Sequence, residues 1–334
     1  MHSWARYLIF VQYIGTKYSG VVKVPPHELI KKGVQDHLEE AIKRLRPLNP
    51  VSLTVSSRTD TGVHALSNSA HFDLQRKNDK PPFTEDILVE ALNFHLRAEQ
   101  IRQKGCHFTS EQALKADARV SSATCRTQSP PLETITRAHR VPDDFHARFR
   151  AQSRTYVYRI ALGMSHHSLF PLTDRDLCWN LCDTKLDVGA MREAAVLLVG
   201  TRDFSSFRAV SSEMHFKNPV KTLDTISVQP GSSFVHTHFH RKIPFWELTF
   251  TSRSFLYKQV RRMTGALVAV GRGRLSVAQL KDILEARDSL AYPQGLAAPA
   301  HGLFLTRVDY READLRPSQQ TSEEQFISGG NSED

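Results

Sequence analysis

The densest polar turn in the chain, Ser56-Ser57-Arg58-Thr59-Asp60-Thr61-Gly62-Val63-His64-Ala65, directly follows the alternating β-run Val51-Ser52-Leu53-Thr54-Val55. A glycine two residues beyond an aspartate, with small hydroxyl residues around it, marks a tight turn that presents the carboxylate at a sheet edge. Arg58 stands two residues before Asp60. A neighbouring guanidinium favours the ionised carboxylate, the form used by a nucleophile or an electrostatic stabiliser rather than by a general acid. The same residues also describe an Asx turn closed by a surface ion pair, so this segment alone supports both a catalytic and a structural reading.

Other residues with chemical potential are more dispersed. Tyr156 lies in the strand-like run Arg154-Thr155-Tyr156-Val157-Tyr158-Arg159-Ile160, where a core role is the ordinary one. Basic residues recur at Arg148, Arg150, Arg154, Arg159, Lys258, Arg261, Arg262, Arg272 and Arg274, and such a set either tracks the phosphates of a nucleic acid or forms solvated basic faces. Of the four cysteines, Cys178 and Cys182 have a spacing that some zinc sites use, but no second pair of ligands follows closely, and buried thiols are expected. His236, His238 and His240 share one face of an alternating segment, expected to be a solvated edge strand rather than a metal site.

The elements that must position these residues belong to a globular protein. The chain has 334 residues, 40% hydrophobic and 24% charged, with no apolar run approaching the roughly 20 residues of a membrane-spanning helix. No membrane association is expected. The formal charge is +9, and the acidic residues Glu312, Asp314, Glu323, Glu324, Glu333 and Asp334 crowd the C-terminal end, leaving the remainder more basic still. That balance favours a polyanionic partner. The sparse cysteines fit a reducing compartment, and Tyr7 to Tyr13 reads as a strand so near the start that no secretory signal is expected.

Strand-like and helix-like periods alternate along the chain. Val34, Leu38, Ala41, Ile42 and Leu45 mark an amphipathic helix; Ala70 to Leu74 reads as a strand; Thr84 caps a helix running to about Leu96. Asp187 caps a helix carrying Met191, Ala194, Ala195 and Leu198, Ser276 caps another, and Leu256, Val260, Met263 and Leu267 recur at helical spacing. This succession predicts an α+β fold with mainly antiparallel sheet in two similar halves. The expected organisation is an N-terminal half over residues 1–102, a disordered insertion over 103–134, a second half over 135–311, and an acidic disordered tail over 312–334.

Ser57-Arg58-Thr59-Asp60-Thr61-Gly62-Val63-His64-Ala65 resembles the signature of the TruA family of tRNA pseudouridine synthases. Four further segments resemble that family's later motifs in order: Val141 to Phe149 with Ser153 to Tyr158, Gly200 to Arg208, Ser254 to Arg261, and Ala298 to Leu305 with Val308 to Tyr310. The resemblance implies one extended sheet built from both halves, with helices on one face and an RNA cleft on the other. It implies Asp60 as nucleophile, Arg58 assisting nucleotide flipping, and Arg261 paired with Asp60. Tyr156 would pack against the target base, with His64, Lys258 and Leu303 joining Tyr156 and Arg58 at the substrate. It further implies tRNA or another structured RNA as partner, no cofactor and no metal, pairing as a homodimer, and a mitochondrial location with the cytoplasm as alternative.

Three departures limit that carry-over. Val21-Val22-Lys23 replaces a Trp followed by Gln after Tyr18-Ser19-Gly20, Leu92-Asn93-Phe94-His95-Leu96-Arg97 lacks a proline usual in the family, and residues 103–134 interrupt the approach to Val141-Pro142. Two rival functions follow from the same residues. A non-catalytic RNA-binding protein would keep the basic cleft without needing the carboxylate. A carboxylate hydrolase would need a second acid opposite Asp60, with Asp73 and Asp203 the available partners.

Overall fold

The computed structural model describes residues 4–22, 31–78, 80–103, 133–163, 171, 174–211, 218–232 and 243–316. Ten strands join in one sheet. They are β1 (Trp4–Tyr13), β2 (Thr54–Val55), β3 (His64–Gln75), β4 (Glu133–Val141), β5 (Ser153–Leu162), β6 (Trp179–Leu181), β7 (Gly200–Asp203), β8 (Val220–Gly231), β9 (Phe245–Ser252) and β10 (Leu303–Asp309). The order is β4-β1-β3-β10-β5-β9-β8-β7, with β2 beside β3 and β6 beside β5. Pairings are antiparallel except β10 with β3 and β5 with β6.

Strand β1 lies inside the sheet and is buried on both faces, which is why it reads as a nearly continuous apolar run. Tyr7, Ile9, Val11 and Tyr13 face the main core, together with the apolar stripes of α1 (Val34–Arg44) and α2 (Glu85–Gln103), while Leu8 and Phe10 face a smaller cluster with Val141, Phe145 and Ala147. The same main core continues under α3 (Val188–Leu198), α4 (Gln259–Gly271) and α5 (Val277–Glu285). The Asp187 carboxylate accepts the Ala190 N–H at 2.9 Å, and Ser276 with Gln279 forms a reciprocal capping box, so both helix starts lie where the cap residues place them.

The structure changes several boundaries. Only Thr54 and Val55 of the Val51–Val55 run pair in the sheet, opposite His71 and Ala70. The Leu53 backbone is instead bonded by helix α1, its carbonyl accepting from Gln35 Nε2 at 2.8 Å and its N–H donating to Glu39 at 3.3 Å. Strand β4 pairs with β1 at the outer edge of the N-terminal half, so the sheet does not divide at residue 135. The last strand, β10, sits between β3 and β5 and joins the two halves. The acidic tail does not begin unstructured either: Glu312–Leu315 forms a short helix, α6, whose Asp314 bonds Arg150 at 3.0 Å. Residues 104–132 and 317–334, and with them most of the expected insertion and tail, lie outside the described residues, as do Cys106, Cys125, His236, His238 and His240. No helix among the described residues is long and apolar enough to cross a membrane.

Candidate active site

A cleft of about 720 Å³ opens beside β5 and the start of β10, against the turn that follows β2. Tyr156 and Leu303, which line it, belong to the same buried cluster as the helices' apolar stripes, and the start of α4 forms part of its wall. Tyr156 and Tyr158 of β5 pair across from Leu305 and Leu303 of β10, so all four share one face of the sheet.

Asp60 sits on the turn leaving β2, closed by the Val63 N–H donating to its carbonyl at 3.1 Å and by Gly62 at a φ of 80°. Gly20, at a φ of 100°, lies behind this turn so closely that a Cβ there would meet the Thr59 carbonyl at 2.8 Å. The Asp60 carboxylate accepts a hydrogen bond from Arg261 Nη1 at 3.3 Å, with the two side chains 22% and 16% exposed. Arg261 is itself fixed, donating from Nε to the Ala298 carbonyl at 2.8 Å while its own carbonyl accepts the Ala298 N–H at 3.0 Å. Asp60 is thus ionically paired, partly open to solvent and held at a defined place, as a nucleophile or charge stabiliser requires.

The turn rests on a buried polar network. Thr59 Oγ1 and the Tyr13 hydroxyl are 2.8 Å apart, and Asn68 Nδ2 donates to the Tyr13 oxygen at 3.1 Å and to the Ser57 carbonyl at 3.0 Å. Burial pushes the Tyr13 phenol up to about 12, so it stays protonated. Arg154 completes the network. Buried and lowered from its ordinary value by desolvation, it donates to Ser57 Oγ, to the carbonyls of Ser56 and Arg148 at 3.0 Å each, and to the carbonyl of Arg253. One guanidinium thus ties the Asp60 turn to two other segments.

Tyr156 is 7% exposed and meets Phe255 edge-on at 5.2 Å, with its phenol raised by burial and hydrogen-bonded by Ser57. Leu303 lies beside it in the cleft. Lys258 occupies the N-cap of α4 in the left-handed region, φ 56°, with its ammonium 5.0 Å from the Tyr257 ring. Arg58 projects exposed from the turn.

The structure brings Asp60, Arg58, Arg261, Tyr156, Lys258 and Leu303 to one cleft, but not His64. That ring is buried behind the turn. Its Nδ1 accepts the Gly15 N–H at 3.0 Å, which leaves Nε2 to donate to the His301 carbonyl at 3.0 Å, and it stacks on Phe304 at 4.6 Å. Burial pushes His64 down to about 4, so it is a neutral fixture joining β3 to the chain entering β10.

Of the nine basic residues, only Arg148, Arg154, Lys258 and Arg261 line the cleft. Arg159 bonds buried Asp174, Arg272 bonds Asp183, and Arg262 donates to the carbonyls of Ser206 and Arg208. Neither proposed second acid reaches the site: Asp73 is paired with Arg6, and Asp203 accepts the Ser205 N–H. Among the described residues, Asp60 is the only carboxylate lining the cleft. Cys178 is buried, its thiol donating to the Asp174 carbonyl at 3.3 Å.

The family model described as tRNA pseudouridine synthase matches residues 194–311. Over 94% of its length the chain is 46% identical to tRNA pseudouridine synthase-like 1 of Xenopus laevis, covering 95% of that protein. It is 47% identical to the Homo sapiens protein of the same name over 92% of this chain and 90% of that one. The chain belongs to the tRNA pseudouridine synthase family. The relationship extends to bacteria: tRNA pseudouridine synthase A of Hyphomonas neptunium is 36% identical over 91% of this chain and 98% of that protein. The mixed α+β architecture with its large, mostly antiparallel sheet is the pseudouridine synthase fold. Among the described residues, the cleft holds no second acid opposite Asp60 of the kind that glycosidic hydrolysis by a pair of carboxylates uses.

Proposed function

We propose that this protein is a tRNA pseudouridine synthase that isomerises uridine to pseudouridine through Asp60. The observation that carries the reading is the Asp60 carboxylate in the cleft, paired with Arg261 beside Tyr156 and Leu303. In the reaction the N1–C1′ bond breaks with its electron pair passing to the uracil, the base turns, and a C5–C1′ bond forms. The hydrogen on C5 leaves as a proton and N1 ends protonated, so there is no net oxidation and no group is lost. Asp60 supplies the carboxylate that attacks the substrate or stabilises charge at C1′, and Arg261 holds it oriented.

A paired uridine is reached only after it leaves its stack, at a cost of a few kcal/mol. Tyr156 and Leu303 give the extruded base an apolar seat, and exposed Arg58 is placed to fill the gap it leaves. Lys258 and Arg148 supply positive charge to the flanking phosphates. Residence in the mitochondrion and pairing into a homodimer belong to this reading and are supported by the family resemblance; organelle fractionation and light scattering test them.

The deciding experiment maps pseudouridine in tRNAs incubated with wild-type protein and with Asp60→Asn. New pseudouridine with wild type alone is expected. Modification by neither, with RNA binding retained by both, would instead identify a non-catalytic RNA-binding protein.

A further inference from the structure

Phe149 is 67% exposed, yet it lies on one of the most firmly anchored turns in the molecule. The segment after β4 is held from below at successive positions. Arg6 Nη1 donates to the Phe145 carbonyl at 2.9 Å, the Ala147 N–H donates to His71 Nδ1 at 3.1 Å, the Tyr310 hydroxyl donates to the Ala147 carbonyl at 2.7 Å, and Arg154 donates to the Arg148 carbonyl at 3.0 Å. The Phe149 and Arg150 N–H groups both donate to the His146 carbonyl, closing the turn beneath the ring. His146 Nδ1 accepts the Arg148 N–H at 3.2 Å, which fixes the imidazole, and that ring lies against Phe149 with centroids 4.2 Å apart and planes inclined by 32°. The Arg148 guanidinium stands 5.7 Å from the Phe149 centroid. Phe149, His146 and Arg148 all line the cleft that holds Asp60.

An aromatic ring displayed to water on a rigid turn, backed by a second ring and flanked by a cation, has the composition of a stacking platform for an unstacked nucleobase, with the guanidinium placed for its phosphate. Tyr156, by contrast, is buried at the cleft's floor and already occupied along one side by Phe255. The two aromatics therefore serve different bases, and the cleft is larger than one uracil ring requires. We propose that Phe149, backed by His146, stacks on a second base of the RNA, one flanking the target uridine, and that Arg148 neutralises the adjoining phosphate. This rests on the RNA-modifying reading above and adds to it a base-binding position outside the reaction centre. The stack holds the strand open on one side of the extruded uridine, which makes Phe149 a positioning residue.

The test is a binding measurement that needs no turnover. Asp60→Asn protein, with and without Phe149→Ala, is titrated against RNA oligonucleotides carrying 2-aminopurine on either side of a central uridine, and against the same oligonucleotides with an abasic site at the 2-aminopurine position. With Phe149 present, 2-aminopurine emission should be quenched at one flank only, with affinity roughly ten-fold higher than with Phe149→Ala. Phe149→Trp should restore both. The abasic RNA should bind about as weakly as Phe149→Ala does to intact RNA, with no further loss when the two changes are combined. Unchanged affinity and unchanged emission with Phe149→Ala, while Asp60→Asn still binds, would overturn the stacking role and leave the isomerase reading standing. Failure of the Asp60→Asn and wild-type proteins alike to bind any RNA would overturn both.

Discussion

At the floor of the cleft, the Ser56–Asp60 turn hangs from buried side chains, Tyr13, Asn68 and Arg154, each donating to or accepting from a defined partner. At its rim, Arg58, Arg148, Phe149 and Tyr257 stand exposed, and Lys258 holds a left-handed backbone conformation. The floor spends its polar groups on one another and so fixes a carboxylate in space; the rim presents its charges and rings at the surface. Positioning a reacting group calls for a dry, saturated network, whereas gripping an irregular polyanion calls for exposed charge. Variants on the two sides should therefore fail in different ways.

The largest effect is expected at the floor. Asp60→Asn should lower pseudouridine formation by about 1,000-fold or more while leaving RNA affinity within a few-fold, as single-turnover assays and filter binding will show. Arg154→Met should come next, at roughly 100-fold in kcat with little change in RNA affinity, because the turn bearing Asp60 loses two anchoring bonds and its ties to the Arg148 and Arg253 segments at once. Arg154→Lys should not rescue it, since an ammonium cannot reproduce the spread of a guanidinium fork. A melting curve accompanies both variants, and undiminished kcat in a folded Arg154→Met protein would break the distinction between floor and rim.

At the rim, Lys258→Gln should weaken RNA binding by only a few-fold, across all sequences alike, and reduce the slope of log affinity against log salt by about one. A change in kcat at saturating RNA would move Lys258 to the floor.

The smallest effect is read by acid, at buried histidines beneath both regions. Burial holds His64 and His71 down to about 4, against an ordinary value near 6.5. Between those values the unfolded chain takes up protons that the folded protein refuses, so this contribution to stability is present above about pH 6.5 and declines as pH falls towards 4. Glu133, raised to about 7 by burial, contributes the opposite slope, stabilising below its unfolded value near 4.5 and losing that contribution as pH rises to 7. Urea unfolding of His71→Gln beside wild type isolates the histidine part: the variant should show the shallower loss between pH 6.5 and 4.

Local signals were the legible ones. Asp187, Ser276 and the apolar spacing of α1 place helix starts and faces from a few adjacent residues, and the polar turn around Asp60 announces itself by its own composition. What the sequence concealed was set by partners far along the chain. Strand β2 is short because Gln35 and Glu39 take the Leu53 backbone, and His64 is a fixture rather than a substrate contact because Gly15 and His301 close on its two nitrogens. Arg154 was half legible: standing two residues before Tyr156 on a strand, it had to face the same side, but its neighbours there, Ser56 and Ser57, lie almost a hundred residues earlier. The pairing that sets Leu303 and Leu305 of β10 opposite Tyr158 and Tyr156 of β5 joins strands far apart in sequence, which no single segment carries.

Strand β10 has a consequence for how the molecule is made. It is inserted between β3 and β5, and the His301 carbonyl just before it grips His64 across 237 residues of sequence. Asp60, Arg154, Tyr156 and Arg261 all leave the ribosome before it does. A nascent chain interrupted just before Leu303 thus carries nearly every residue of the cleft but lacks the strand that joins β3 to β5. A strand synthesised after every one of those side chains is the one that turns them into a site.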